Sequence, residues 1–275
     1  MYKSANVFYP QDEMTTALLP ITIGCTYNKC AFCSMYKDET YSEVPFPEIE
    51  MELKHGYKYT EKIFLTGADP MSIGFDKMKK LLHMICDYLP YCACVASYAS
   101  IRSISQYSLE ELTVLHNLGL RLLYIGFETG RDDTLKLVNK GHTVNEAIQQ
   151  AKKLNEAKLL FNSIIMYGIA GEDQSVDNAV ATANMINQFA PRSVITMNLT
   201  VFSGTELHKM IERGCFIPPS GVERLIEIKT LVENLEPNQP TIFDTTHPTN
   251  IIKIKGTLPH DKERLIDEVN HRIML

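Results

Sequence analysis

The segment "GCTYNKCAFCSMY" (24–36) places Cys25, Cys30 and Cys33, three of the chain's seven cysteines, within nine positions. It follows directly on "ALLPITIG" (17–24), a short apolar run that reads as a buried strand. A strand that empties into a cysteine loop puts the thiols at the carboxyl end of a sheet, where parallel α/β folds place their sites. Buried thiols often serve as small hydrophobes, but this loop is polar ("TYNK"), which points to ligands.

Outward from that loop the same grammar repeats. "KIFLTG" (62–67), "CACVASYA" (92–99), "RLLYIGFE" (121–128), "LLFNSIIMYGIA" (159–170) and "SVITMNLTVF" (193–202) are short, rich in β-branched or aromatic residues, and bounded by Gly, Pro or polar residues. Between them lie amphipathic stretches that open on capping boxes: Ser108 with Glu111, Thr143 with Glu146, Ser220 with Glu223. In "SLEELTVLHNLG", Leu109, Leu112 and Leu115 share a face before the stop at Gly119. About six strand–helix alternations imply a parallel sheet with right-handed crossovers. Six units are too few for a closed eight-unit barrel, which leaves a partial (β/α)6 barrel or an open doubly wound sheet. No linker or repeat divides the chain, so residues 1–236 are expected to form one barrel. Residues 237–275, ending in a helix over roughly 260–273, are expected to pack on it as an extension.

The 275 residues are 45% apolar and carry a net charge of −6 with no basic stripe, so a small-molecule substrate is expected and a nucleic acid is not. No signal-peptide pattern and no apolar run of membrane-spanning length occurs, so the cytosol is the expected compartment. There, an odd number of unevenly placed cysteines argues for metal or redox chemistry over disulfides.

Structural zinc uses four ligands, commonly in two CxxC pairs, and only one CxxC is present. A plant-type ferredoxin shares the Cx4CxxC spacing but needs a fourth cysteine; the next here is Cys86, at the end of an apparent helix. Three thiolates on a four-iron cluster leave one iron open for a small-molecule ligand. A ferredoxin-like electron carrier remains the alternative.

Several segments together resemble the radical S-adenosylmethionine (radical SAM) superfamily, within a subset whose first cysteine pair is spaced by four residues where most members have three. The cysteine loop matches the family's cluster motif, with Phe32 packing near the adenine. "FLTGADP" (64–70) stands where members carry the Gly-Gly-Glu stretch that holds the amino group of SAM, which implicates Gly67, Ala68 and Asp69. "GFETGRDDTLKLVNKGH" (126–142) is similar to a segment of the oxygen-independent coproporphyrinogen oxidase and methylthiotransferase group, implying that Glu128 meets the ribose and Lys140 the carboxylate of SAM. "IMYGIAGE" (165–172) resembles the strand end beside the adenine, at Gly168, and "LTVFSGTELH" (199–208) the segment after the sixth strand. Tyr98 and Ser100, closing the third strand, are further cofactor-site candidates.

The resemblance implies a partial barrel of the radical SAM type and a [4Fe–4S] cluster on Cys25, Cys30 and Cys33. It implies reductive cleavage of SAM to a 5′-deoxyadenosyl radical that takes hydrogen from an organic substrate under anaerobic conditions. The electron donor implied is a reduced flavodoxin or ferredoxin. His247 and Asn250, in "TTHPTNIIKIKGTLP", are candidates for substrate contact or for closing the site, and Cys215 for a hydrogen donor or second redox group. Cys92 and Cys94 are expected on one face of a strand, as core residues. A tRNA methylthiotransferase would be expected to carry two further domains, for which this length leaves no room.

Overall fold

The computed structural model describes residues 7–56 and 59–275. Eight strands and ten helices organise the site: β1 (Ala17–Pro20), α1 (Phe46–Gly56), β2 (Lys62–Thr66), α2 (Phe75–Tyr88), β3 (Cys94–Ala99), α3 (Ile101–Ile104), α4 (Leu109–Asn117), β4 (Leu120–Glu128), α5 (Asp132–Leu137), α6 (Val144–Glu156), β5 (Leu160–Tyr167), α7 (Ser175–Ile186), β6 (Ser193–Asn198), α8 (Glu206–Glu212), α9 (Gly221–Asn234), β7 (Thr241–Asp244), β8 (Lys255–Leu258) and α10 (Lys262–Ile273). All six expected strands form. Contacts sort the described residues into two compact units, one made of 7–28, 35–56, 59–125 and 153–161, the other of 29–34, 126–152 and 162–275.

In the first unit β1 pairs in parallel with β2 (Leu18 opposite Phe64), β2 with β3 (Phe64 opposite Ala96) and β3 with β4 (Ala96 opposite Leu122). Parallel strands covered on both faces read as unbroken apolar runs. Ile63, Phe64, Leu65, Ala96 and Leu123 accordingly have 0–2% exposure. A two-residue ribbon, Thr22–Ile23 against Ser42–Glu43, braces the start of the cysteine loop. The box at α4 forms as expected, Ser108 Oγ accepting from the Glu111 N–H and the Glu111 carboxylate from the Ser108 N–H.

In the second unit β5 pairs in parallel with β6 (Ile165 opposite Thr196), β6 with β7 (Val194 opposite Phe243), and β8 returns antiparallel on β7. The boxes at Thr143 and Ser220 form here. The segment after residue 237, which carries no clear strand pattern in the sequence, contributes β7 and β8 before the expected last helix. These strands are four residues long, too short for periodicity to show. Cys92 lies before β3 and not on it, in the turn from α2; both it and Cys94 are half-buried. The strand begins only where backbone pairing with β2 starts, at Lys62 opposite Cys94.

Candidate active site

Each unit carries part of the expected site. In the first, Gly24 turns the chain at φ +69° and Cys25 follows, its Sγ accepting the Asn28 N–H at 3.3 Å. Asn28, itself at φ +46°, donates its side-chain amide to the Tyr36 carbonyl at 2.7 Å, and Lys37 Nζ caps the Asn28 carbonyl at 3.0 Å. The Arg102 guanidinium lies 4.7 Å from the Tyr27 ring centre, a cation–π contact that fixes the outer loop. The Cys25 thiol is thus set by backbone turns and half-exposed, open to iron.

Gly67, immediately after β2, has φ +124°, and a Cβ built there would overlap the Thr22 hydroxyl. The buried Thr22 Oγ1 has no hydrogen-bond partner. Two residues on, Asp69 is 5% exposed and receives Ser100 Oγ at 2.5 Å and Ser103 Oγ at 2.8 Å. Ser100 also caps α3 through a box with Ser103, so the end of β3 aims the Asp69 carboxylate. Ala68 between them is half-buried. Tyr98 stacks edge-on against Phe64 at 5.2 Å and Tyr124 at 6.2 Å, and burial pushes its phenol well above the ordinary tyrosine pKa. It supports the strand as a packed aromatic.

In the second unit the CxxC turn is pinned at its small residue. The Ala31 N–H donates to the Val138 carbonyl at 2.8 Å and the Ala31 carbonyl accepts from Leu207 N–H at 2.9 Å. Ala31 joins Val138, Ile169, Leu199, Leu207 and Phe216 in one core, with Phe32 against it. Cys30 and Cys33 stay half-exposed on either side. Asn139, at φ +51°, donates its amide to the Lys29 carbonyl at 3.1 Å.

Glu128 closes β4 at φ +65° and is 5% exposed. Its Oε1 pairs with Lys140 Nζ, while Oε2 is buried with no partner. Gly126 makes this possible, since a Cβ there would strike both the Glu128 carboxylate and Lys140 Nζ. Lys140 lies 5.8 Å from the Phe32 ring centre. Burial opposes its charge, but the Glu128 carboxylate and the thiols of Cys30 and Cys33 outweigh that and hold its pKa above the ordinary lysine value. Four expected site positions, Cys30, Phe32, Cys33 and Lys140, therefore meet Glu128 in one place.

Gly168, at φ +82° just past β5, lies against Arg224, and the next residue, Ile169, packs in the same core as Ala31 with Phe32 against it. Asn250 is 8% exposed, and its amide is fully engaged with backbone: Oδ1 accepts the Asn198 N–H at 2.7 Å, and Nδ2 donates to the Thr196 and Thr245 carbonyls at 2.7 and 2.8 Å. It clamps the 245–250 loop to β6. His247 Nδ1 meets Thr249 Oγ1 at 2.8 Å, and partial burial lowers its pKa. Cys215 is exposed at the end of α8.

The residue types fit the cofactors that the sequence implies. Three half-exposed thiols in glycine- and asparagine-shaped turns suit iron, and the unpartnered Glu128 oxygen fits a hydroxyl donor such as a ribose. Among the described residues no three His, Cys, Asp or Glu side chains close on a single metal ion. A four-iron cluster binds each thiolate at a separate iron and does not need them to.

The family model described as "Radical SAM superfamily" matches residues 19–183. The chain belongs to that superfamily. Its cofactors are a [4Fe–4S] cluster and S-adenosylmethionine. A heme chaperone, HemW of Bacillus subtilis (strain 168), is 24% identical over 204 residues, covering 72% of this chain and 52% of HemW. A tRNA uridine(34) acetyltransferase of Methanocaldococcus jannaschii is 28% identical over 129 residues, covering 46% of this chain and 24% of the relative. The chain thus spans about half the length of the first relative and a quarter of the second. Among solved structures, Escherichia coli coproporphyrinogen III oxidase (HemN) matches with a TM-score of 0.60 at 14% identity, covering 79% of this chain and 51% of that one. Methylornithine synthase (PylB) matches at 0.56 and 14% identity, covering 94% and 80%. These likenesses show the expected α/β partial-barrel fold. No described helix is long and apolar enough to cross a membrane.

Sequence reasoning missed Thr22, Ser103 and Gly126. Ser103 was findable, standing three residues after Ser100 in cap spacing.

Proposed function

We propose that the chain is an oxygen-sensitive cytosolic radical SAM enzyme that abstracts hydrogen from a small organic substrate, with its catalytic core in 1–236 and 237–275 as an extension. Bound together, the reduced cluster and SAM supply one-electron cleavage of the sulfonium and with it a 5′-deoxyadenosyl radical. The protein's own work is binding and placement. Cys25, Cys30 and Cys33 hold the cluster. Gly67 and Ala68 leave backbone room for the methionine end of SAM, and Asp69, aimed by Ser100 and Ser103, accepts its ammonium. Glu128 offers its unpartnered oxygen to the ribose, while Lys140, already paired with Glu128, adds positive charge for the carboxylate. Phe32 and the Gly168 backbone flank the adenine, and Tyr98 stiffens β3 behind Ser100. His247 is the candidate for substrate contact, Cys215 for a thiol donor, and Asn250 keeps their loop in place.

The observation that carries this reading is the buried Glu128 oxygen without a partner, joined through Lys140 to the Cys30 and Cys33 thiols. An acceptor left unsatisfied in the free protein costs about 1–3 kcal/mol, a cost that a bound hydroxyl donor removes. Radical SAM enzymes need a reductant, and reduced flavodoxin or ferredoxin suits a one-electron step.

A similarity to a protein named as a heme chaperone favours a second reading, in which cluster and SAM are bound without turnover or the cluster only carries electrons. The tRNA in the acetyltransferase's name keeps nucleic acids among the substrates to assay. Anaerobic reconstitution with iron and sulfide, then dithionite and SAM, separates the readings by mass-spectrometric detection of 5′-deoxyadenosine. Its appearance, lost together with bound iron in Cys30→Ala, is the expected result. A loaded protein that binds SAM yet forms no nucleoside with any substrate class offered would favour the second.

A further inference from the structure

Glu227, on α9, is a carboxylate with 3% exposure that the chemistry above does not use. Its Oε2 accepts the Gly168 N–H at 2.9 Å and its Oε1 the Asn178 side-chain amide at 2.7 Å. Asn178, on α7 and 1% exposed, accepts in turn from the hydroxyl of the fully buried Thr129 at 2.5 Å. Thr129 follows Glu128 in the chain. Gly130, the next residue, donates its N–H to Thr182 Oγ1 of α7 at 2.9 Å, and its missing Cβ is what lets the loop approach, since a built Cβ would lie 2.6 Å from the Ala181 carbonyl carbon. A buried series of hydrogen bonds, Thr129 to Asn178 to Glu227 to Gly168, therefore joins the end of β4 to the end of β5. Those ends carry Glu128 and Gly168.

A charged group buried for packing alone is costly, and an amide in its place could not accept both of the bonds that Glu227 accepts. Burial raises its pKa to about 7, with Asn178, the Gly168 N–H, the Ser175 side chain and the Arg224 guanidinium pulling the other way. Arg224, one turn earlier on α9, and the Tyr167 phenol on β5 are the titratable groups acting on it, and α7 contributes only neutral side chains there.

We propose that Glu227 is a positioning residue for SAM: through Asn178 and the Gly168 backbone it holds the ends of β4 and β5 in one arrangement, so that ribose and adenine meet a preformed surface. The proposal rests on the assignment of Glu128 and Gly168 to SAM. Preorganisation of this kind acts on affinity by removing the ordering cost of binding.

The test is anaerobic calorimetric titration of SAM into the cluster-loaded full chain at pH 6 and pH 8, with iron content measured alongside. Glu227→Gln is expected to weaken SAM binding about tenfold at pH 8, the scale of one disrupted buried hydrogen bond, with iron content unchanged. The loss is expected to shrink at pH 6, where the wild-type carboxyl is largely protonated. The amino group of SAM titrates alike in both proteins, so the ratio of the two affinities isolates Glu227. Glu227→Asp is expected to fall between. Thr129→Val, which cuts the link to β4 alone, is expected to weaken binding by a pH-independent factor. Unchanged affinity in Glu227→Gln, or an equal loss at both pH values, overturns the proposal. If that variant does not fold, an unchanged affinity in Thr129→Val overturns it. Glu128→Ala marks the assignment beneath: if SAM affinity survives that change, the assignment fails and the proposal with it. If Glu128→Ala loses SAM while Glu227→Gln does not, only the positioning role falls.

Discussion

Gly67 is a turn that we propose also serves as part of the SAM site. Its φ of +124° disfavours any side chain, and a Cβ would overlap the Thr22 hydroxyl and stand 2.6 Å from the Thr22 carbonyl oxygen. Gly67→Ala is expected to cost about 3 kcal/mol from backbone strain and overpacking together, read as a lower denaturant midpoint, and to weaken SAM binding at the same position. A variant as stable as wild type would mean that the β2 end relaxes freely. The glycine itself was legible in "FLTGADP". Its neighbour Thr22 was not, because a residue that follows Gly67 in space precedes it by 45 positions in the chain. Cys25, Cys30 and Cys33 are legible as a group in the sequence, since their spacing is local. Asn250 is a candidate through its resemblance to a His…Asn element of the family, and the structure shows its amide spent on three backbone partners.

Among the elements, α9 carries the clearest conflict between helix grammar and burial. Its box at Ser220 and Glu223 starts it as the sequence says, yet Glu227 turns inward with Leu231. Because the folded protein binds this proton more tightly than the unfolded chain, with a pKa of about 7 against 4.5, its contribution to stability is fullest below pH 4.5. That contribution is lost as pH rises to about 7 and is level above. Glu227→Gln removes the titration, so the stability of the variant relative to wild type is expected to improve by up to about 3 kcal/mol between pH 4.5 and 7. Urea unfolding across that range measures it, and a flat difference would show that the carboxyl keeps an ordinary pKa. The helix starts at Ser108, Thr143 and Ser220 were readable because a capping box spans only four residues. The short strands β7 and β8 were not, because four residues hold too little pattern, and pairing on β6 is what makes Thr241–Asp244 a strand.

For the whole molecule, the cofactors are part of the stability. A ligand that binds only the folded state stabilises it by mass action, so removing iron with a chelator is expected to lower the thermal midpoint. Adding SAM to the cluster-loaded chain is expected to raise it, by about 3 kcal/mol equivalent at a hundredfold excess over Kd. Scanning calorimetry under anaerobic conditions checks both, and an unchanged midpoint on SAM addition would mean that SAM does not bind the folded, cluster-loaded chain.

By itself the sequence determined what is written in near neighbours: three cysteines on one loop, the strand–helix alternation, the helix caps, and the family to which "GCTYNKCAFC" and "GFETG" belong. Tertiary structure alone decided which polar groups are buried and whom they meet. The free oxygen of Glu128, the Ser103 hydroxyl on Asp69 and the Thr129–Asn178–Glu227–Gly168 series join residues up to about a hundred positions apart. Periodicity reports which face of a helix or strand is inward; the partner of a polar atom on that face depends on packing between elements, which no local pattern encodes.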